Sequence, residues 1–497
     1  MMEAAILAIV LLNGWAVLRA CGLKGWGLLP LGFLAGTFLI VVLGAVLVVA
    51  GLPTRPSVIL GLASLLALVL LAWRRANFTG SGLATLLLGL ITLTGLVAIL
   101  RANHLVSYHI DSFRYLTASG LLVEDAYSLA SMNLLEKRLL AAPVMHSLAW
   151  LYGEQYVRSF SPLLMLALLG AIAWFARRGF QPATGTFLEG RGAAVAIGMG
   201  ILLLVTNNRV VWNSFYVNDH LFFAAAFVPA CALGWLLARG RSDLVPGLVA
   251  LSALGLAGLV VTRPEGFIAG AFALLPMLVQ GSIPTWVRTT LLGAYGLSTS
   301  LWFGYVAMVS RGFSGEIPLH TSGPLVVGIV ALAGIGALRW LGTALERRSS
   351  LVTFELFLWL GLAVFTLRES AILMRSLEAT YENVVAGEGA WGSSLVVLTL
   401  LVFFVILFNR DRSLAYLRFP VTAFVPTFFL IAYLQDSAYR VGHGDSLNRM
   451  LVQVVPLAVL YLLAALRSEQ WQLDDPSDAG EAQTGSRGTH EVHPASR

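Results

Sequence analysis

The stretch Leu28-Leu-Pro-Leu-Gly-Phe-Leu-Ala-Gly-Thr-Phe-Leu-Ile-Val-Val-Leu-Gly-Ala-Val-Leu-Val-Val-Ala-Gly51 runs for 24 residues without one charged side chain. As an α-helix it reaches about 36 Å, more than the roughly 30 Å of a bilayer's hydrocarbon core. Lipid offers the backbone no hydrogen-bond partners, so a crossing segment must be a helix or a barrel strand. This run is too long and too rich in leucine for a strand, which crosses in about 9–11 residues. Comparable runs recur at 4–20, 58–73, 83–100, 161–177, 192–206, 219–238, 245–261, 267–280, 289–309, 323–342, 351–367, 390–408, 419–434 and 450–466. The fold class that follows is all-α, a polytopic transmembrane helix bundle of roughly thirteen to fifteen spans.

Composition agrees. The 497 residues are 58% hydrophobic and 12% charged, with a mean hydropathy of +0.81. A soluble domain carries about 25% charge. The net charge of +6 sits mostly in basic residues at the ends of apolar runs, so it signals membrane topology rather than a nucleic-acid partner. Cys21 and Cys231 lie within or beside separate apolar runs and read as buried small side chains, not a disulfide. The first run follows an acidic Glu3 instead of a basic segment, so it reads as a retained span. No phosphate loop or dinucleotide fingerprint occurs, which argues against an ATP-driven pump or a cytosolic nucleotide-sugar site. The eight histidines show no zinc-ligand spacing.

Four regions follow: N-terminal transmembrane helices over 1–100, an external loop over 101–160, a transmembrane core over 161–466 and a disordered cytoplasmic tail over 467–497. Arg74 and Arg75, Arg177 and Arg178, Arg239 and Arg241, Arg347 and Arg348, and Arg410, Arg412 and Arg418 fall in alternate loops. Positive loops stay inside, so the loops around Asp111, Asn208, Glu265, Glu369 and Asp445 face outward. The apolar piece 139–152 is too short to cross and reads as an interfacial or re-entrant helix. The expected location is the plasma (inner) membrane, with a periplasmic or extracellular active face.

The outward loops hold the candidate site. In Tyr108-His109-Ile-Asp111-Ser-Phe-Arg114, a helix sets Asp111 and Arg114 one turn apart on a shared side. A carboxylate there could accept a proton from a hydroxyl, or merely cap its helix and pair with Arg114. Asn207-Asn208-Arg209-Val-Val-Trp212-Asn213-Ser214-Phe-Tyr216-Val-Asn218-Asp219-His220 is denser in polar and aromatic groups than a plain connection requires, as saccharide binding would want. Asp219 also suits a helix cap. Thr262-Arg263-Pro264-Glu265-Gly266 sets two charges at a membrane boundary, either as ligands or as a self-satisfied pair. Tyr439-Arg440-Val-Gly442-His443-Gly444-Asp445-Ser446-Leu447-Asn448-Arg449 offers glycines whose amides can approach an anion, and Arg449 has a fork that fits phosphate or could simply snorkel.

These segments resemble the GT-C superfamily of polyprenyl-phosphate-sugar-dependent glycosyltransferases, whose relatives include protein O-mannosyltransferases and lipid A aminoarabinose transferases. Asp111 matches the family's catalytic aspartate in the long external loop. Tyr216-Val-Asn-Asp219, Thr262-Arg-Pro-Glu-Gly266, and Gly444-Asp-Ser-Leu-Asn-Arg449 with Pro456 resemble later motifs. Two departures stand: several spans precede the Asp111 loop, and no large periplasmic domain follows the last helix. The resemblance implies a sugar on a polyprenyl phosphate as donor, a glycan, lipid or protein as acceptor, and inverting transfer with Asp111 as general base. Arg449, Arg263 and Arg440 would meet the leaving phosphate. His109, Arg114, Tyr216, Asp219, Glu265, His443 and Asp445 would orient substrate. No cofactor is implied; a divalent cation stays open, although Asp111 lacks an adjacent carboxylate to share one. The alternatives are a lipid-linked glycan polymerase or ligase, which leans on arginines, and a transporter or flippase, which wants charges at the midplane.

Overall fold

The computed structural model describes residues 1–74, 80–102, 110–126, 140–179, 187–240, 245–279, 283–314, 319–341 and 349–466. His109 and the tail over 467–497 lie outside the described residues. The elements in order are α1 (Met2–Ala20), α2 (Leu28–Val49), α3 (Pro56–Trp73), α4 (Gly80–Ala102), α5 (Ile110–Val123), α6 (Ala141–Ser147), α7 (Phe160–Gly179), α8 (Phe187–Val205), α9 (Asn208–Ser214) and α10 (His220–Ala238). There follow α11 (Val245–Val260), α12 (Gly266–Val279), α13 (Thr285–Ser314), α14 (Leu319–Leu341), α15 (Ser349–Arg368), α16 (Ser370–Val384), α17 (Ser394–Phe408), α18 (Ala415–Leu434) and α19 (Ser446–Ala465). Among the described residues there is no strand.

Among the described residues nine helices are long and apolar enough to cross a membrane, or ten if the bent pair α8 and α9 counts as one span. Four more apolar helices, among them α11, α12 and α17, are shorter. The sequence anticipates more spans because it counts every apolar run alike, whatever its length as a helix. Burial separates two populations. The spanning window of α10 is 89% buried, whereas those of α3, α4 and α15 are 28%, 22% and 11% buried. The latter expose Leu68, Ile91, Phe357 and Leu360, side chains that only lipid suits. At the centre, Phe272 and Phe227 pack edge-on against Phe424 with centroids 5.3 and 5.5 Å apart, joining α12 and α10 to α18.

The backbones of α1 and α2 cross closely. A methyl group on Gly14 would collide with the Gly32 carbonyl, and one on Gly36 with the Val10 carbonyl. Small residues let two backbones approach in this way where lipid supplies no hydrophobic drive between helices.

Hydrogen bonds among their first turns and the residues just before them gather the starts of α1, α7, α10, α12 and α19 at one end of the bundle. Glu3, fully buried, ties this end together. Its carboxylate accepts from Arg101 Nη1 at 2.8 Å and from the Ser159 amide at 2.7 Å. Arg101 also reaches Glu154 at 3.1 Å. The expected short helix at 139–152 resolves into α6 and a 3-10 turn, Leu148–Tyr152. α6 is sunk into the protein, with Val144 against Gly44 of α2, whereas the turn exposes Trp150 and Leu151. At the opposite end Arg239 pairs with Asp411 at 3.7 Å.

Candidate functional site

Asp111 opens α5 and is buried. Its carboxylate pairs with Arg449, which stands in the first turn of α19. The expected partner, Arg114, is exposed. The buried stripe of α5 runs through Asp111, Tyr115, Ala118 and Leu122, a helical repeat, and Arg114 falls beside it. Spacing within the helix therefore misled, because a neighbouring helix supplies the cation.

One turn below Arg449 on the same face, Gln453 donates to Glu265 at 3.2 Å and lies 3.1 Å from His220 Nδ1. Glu265 holds Arg263 at 2.5 Å, and Arg263 reaches His220 Nε2 at 3.2 Å. Burial works against the Arg263 charge, but the Glu265 carboxylate outweighs it, with Tyr115 and Asp219 adding, so the guanidinium is held above its ordinary pKa. The turn carrying both charges needs Gly266, where any Cβ would strike the Leu259 carbonyl.

Asp219 precedes α10 but does not cap it. Asn218 does, accepting from the His220 amide at 2.8 Å. The Asp219 carboxylate instead accepts from the Ala142 amide at 2.8 Å, stabilising the start of α6, whose own N-cap Leu140 has no side-chain acceptor. Asp445 is the N-cap of α19; its two oxygens accept from the amides of Leu447 and Arg440 at 2.8 and 2.9 Å. Its carboxylate is thus committed to backbone. The side chains of Arg440 and His443 are exposed. Their segment contributes main chain, turned by Gly442 at φ +109° and clasped by Asn383 of α16, which donates to the Arg440 carbonyl at 2.8 Å and accepts from the Gly442 amide at 2.7 Å.

Arg209 is a residue that sequence reasoning did not single out. It is 1% exposed, lies over the Trp212 ring at 4.9 Å and donates Nη2 to the His443 carbonyl at 2.7 Å. Trp212 in turn stacks on Tyr216 with centroids 4.5 Å apart. Nε and Nη1 of Arg209, like Nε of Arg449, are buried with no hydrogen-bond partner among the described residues. Burial, and then the nearby Arg449 charge, pushes Arg209 down to about 10. The readable hint was the Arg-x-x-Trp spacing, which stacks guanidinium on indole across one helical turn.

Asp111, Tyr216, Asp219, Arg263, Glu265, Asp445 and Arg449 therefore gather at one end, whereas the side chains of Arg114, Arg440 and His443 are exposed. Among the described residues no three His, Cys, Asp or Glu side chains gather as metal ligands would. Scanned against protein-family models, and compared with curated proteins and with solved structures, the sequence and fold give no match.

Proposed function

We propose that this chain is a membrane glycosyltransferase of the GT-C kind, moving a sugar from a polyprenyl phosphate to an acceptor hydroxyl on the outer face of the plasma membrane. The observation that carries the reading is the buried Asp111–Arg449 pair, set among Arg209, Arg263 and Glu265. A carboxylate in reach of an acceptor hydroxyl serves as general base. The attacking oxygen bonds to the anomeric carbon as the carbon–oxygen bond to the lipid phosphate breaks, and the proton passes to Asp111. The leaving phosphate regains negative charge in that step, and prepositioned guanidinium groups stabilise it. A bilayer-embedded donor reaches such a site laterally, and the basic residues at the opposite end, such as Arg177 and Arg239, support an outward orientation.

The test is transfer by purified protein in nanodiscs supplied with a panel of polyprenyl-phosphate sugars, alongside mass spectrometry of envelope glycans with and without the gene. Asp111→Asn should abolish transfer while the protein remains monodisperse; full activity in that variant removes the base. A lipid-linked glycan polymerase or ligase is the second reading, favoured by the proximity of Arg209 to Arg449. It is separated by comparing Asp111→Ala with Arg449→Ala, since that chemistry fails on loss of arginine and tolerates loss of Asp111.

A further inference from the structure

Arginine Arg209 stands without an ion-pair partner among the described residues. That is unusual for a side chain 1% exposed, because a buried cation costs free energy unless something compensates it. Its compensation is partial: one carbonyl from His443, the face of Trp212 and the field of the Asp445 carboxylate, which together are outweighed by burial and the Arg449 charge. Two of its nitrogens are buried and undonated, and Arg449 contributes a third. The two guanidinium groups are close enough to repel, which lowers Arg209 further. Arg449, by contrast, has its charge matched by Asp111.

We propose that Arg209 and Arg449 form a binding site for a phosphate-class oxyanion, and that the anion takes Arg449 over from Asp111, releasing the carboxylate. A tetrahedral oxyanion offers several acceptor oxygens to guanidinium forks that have donors to spare. It also cancels the repulsion between the two arginines. In the ligand-free pair the carboxylate is neutralised by the group on which the anion must act, so Asp111 and the anion compete for Arg449. Binding of the anion and exposure of the carboxylate are then one event. The second half rests on the proposed role of Asp111 as base and gives it an order: the phosphate-bearing donor binds before Asp111 can engage an acceptor. The anion site itself stands without that reading.

Competition makes the sign of one mutation decisive. An internal counter-ion lowers apparent affinity by the fraction of time it leaves the site open. Removing it should therefore tighten binding, although it removes a residue of the site. The probes are inorganic phosphate and farnesyl phosphate, titrated calorimetrically into full-length protein in nanodiscs. Asp111→Asn is expected to bind both about tenfold or more tightly than the parent. Arg209→Gln should weaken binding about tenfold or more, and Arg209→Lys, which keeps the charge but not the fork, should fall between. Affinity for farnesyl phosphate alone assigns the site to a lipid head group, and affinity for both assigns it to phosphate generally. No binding of either probe, or weaker binding in Asp111→Asn, overturns the proposal. A measurement on the unaltered protein guards against misfolded variants: phosphate should speed amide exchange over 110–116 as α5 loses its tie to α19, and slowing there rejects the exchange. Binding is read without turnover, so absence of transfer with every sugar donor would sink the enzyme and leave the anion site standing.

Discussion

The carboxylate of Asp219 accepts a hydrogen bond from the amide of Ala142 at 2.8 Å, so the residue that precedes α10 caps a helix 77 positions earlier in the chain. That bond fixes the start of α6, which packs against α5, the helix that carries Asp111. Asp219→Ala should cost about 1–2 kcal/mol, as loss of a cap does, and lower transfer by a larger factor than stability alone explains. Thermal unfolding with a transfer assay on the same preparation checks it. A variant with parental activity would deny Asp219 this supporting part.

Between α1 and α2 the backbones touch at Gly14, Gly32 and Gly36. Gly36→Leu must push the helices apart and should cost more than the ~1–3 kcal/mol of ordinary overpacking. Loss of a monodisperse peak on size exclusion is the expected result. Leucine at Gly61, which has open space around its Cβ position, serves as the control.

His146 is neutral in the fold, held near 3 by burial where the free ring takes its proton at 6.5. Its Nδ1 accepts from the Val157 amide at 3.3 Å, a bond that the protonated ring cannot receive. Between those two values the unfolded chain binds the extra proton. This contribution is therefore complete above 6.5 and is lost as pH falls toward 3, by up to about 1.4 kcal/mol per pH unit. His146→Gln keeps an acceptor without titrating. Its melting midpoint should fall less steeply on acidification, and equal slopes for parent and variant would count against the assignment.

Glu355 in α15 meets Arg418 at 3.3 Å and accepts from Thr422 Oγ1 at 2.7 Å. Breaking this partly buried pair strands a charge, whereas removing both members does not. Arg418→Met should thus be less stable than the double variant Glu355→Leu with Arg418→Met. The order of the two melting midpoints decides the matter.

Helical architecture was readable because the cost of bare backbone in lipid leaves few alternatives, and runs such as 28–51 announce it directly. The same logic flagged Asp111, Arg263, Glu265 and Arg449, charges at the borders of apolar stretches. What the sequence hid was partnership. Asp111 has Arg114 one turn away, yet its cation lies 338 residues further on. Gln453 looks like an ordinary polar residue within a span until His220 and Glu265 are set beside it, and Arg209 gains meaning only when the His443 carbonyl arrives from 234 residues downstream. Arg440 and His443 show the opposite case: their side chains are exposed, and what their loop brings to the interior is main chain shaped by Gly442 and Asn383.

The buried Glu3 carries a consequence for biogenesis. Its acceptors are satisfied by Arg101 and by the amide of Ser159, which is 156 positions away. The first helix emerges from the ribosome long before either donor exists, and must wait with an unmatched carboxylate at its tip until synthesis has passed α6 and reached Ser159. Insertion of the earliest span is thereby completed by the loop that follows the fourth, and translation must reach that point before the bundle's first corner can lock.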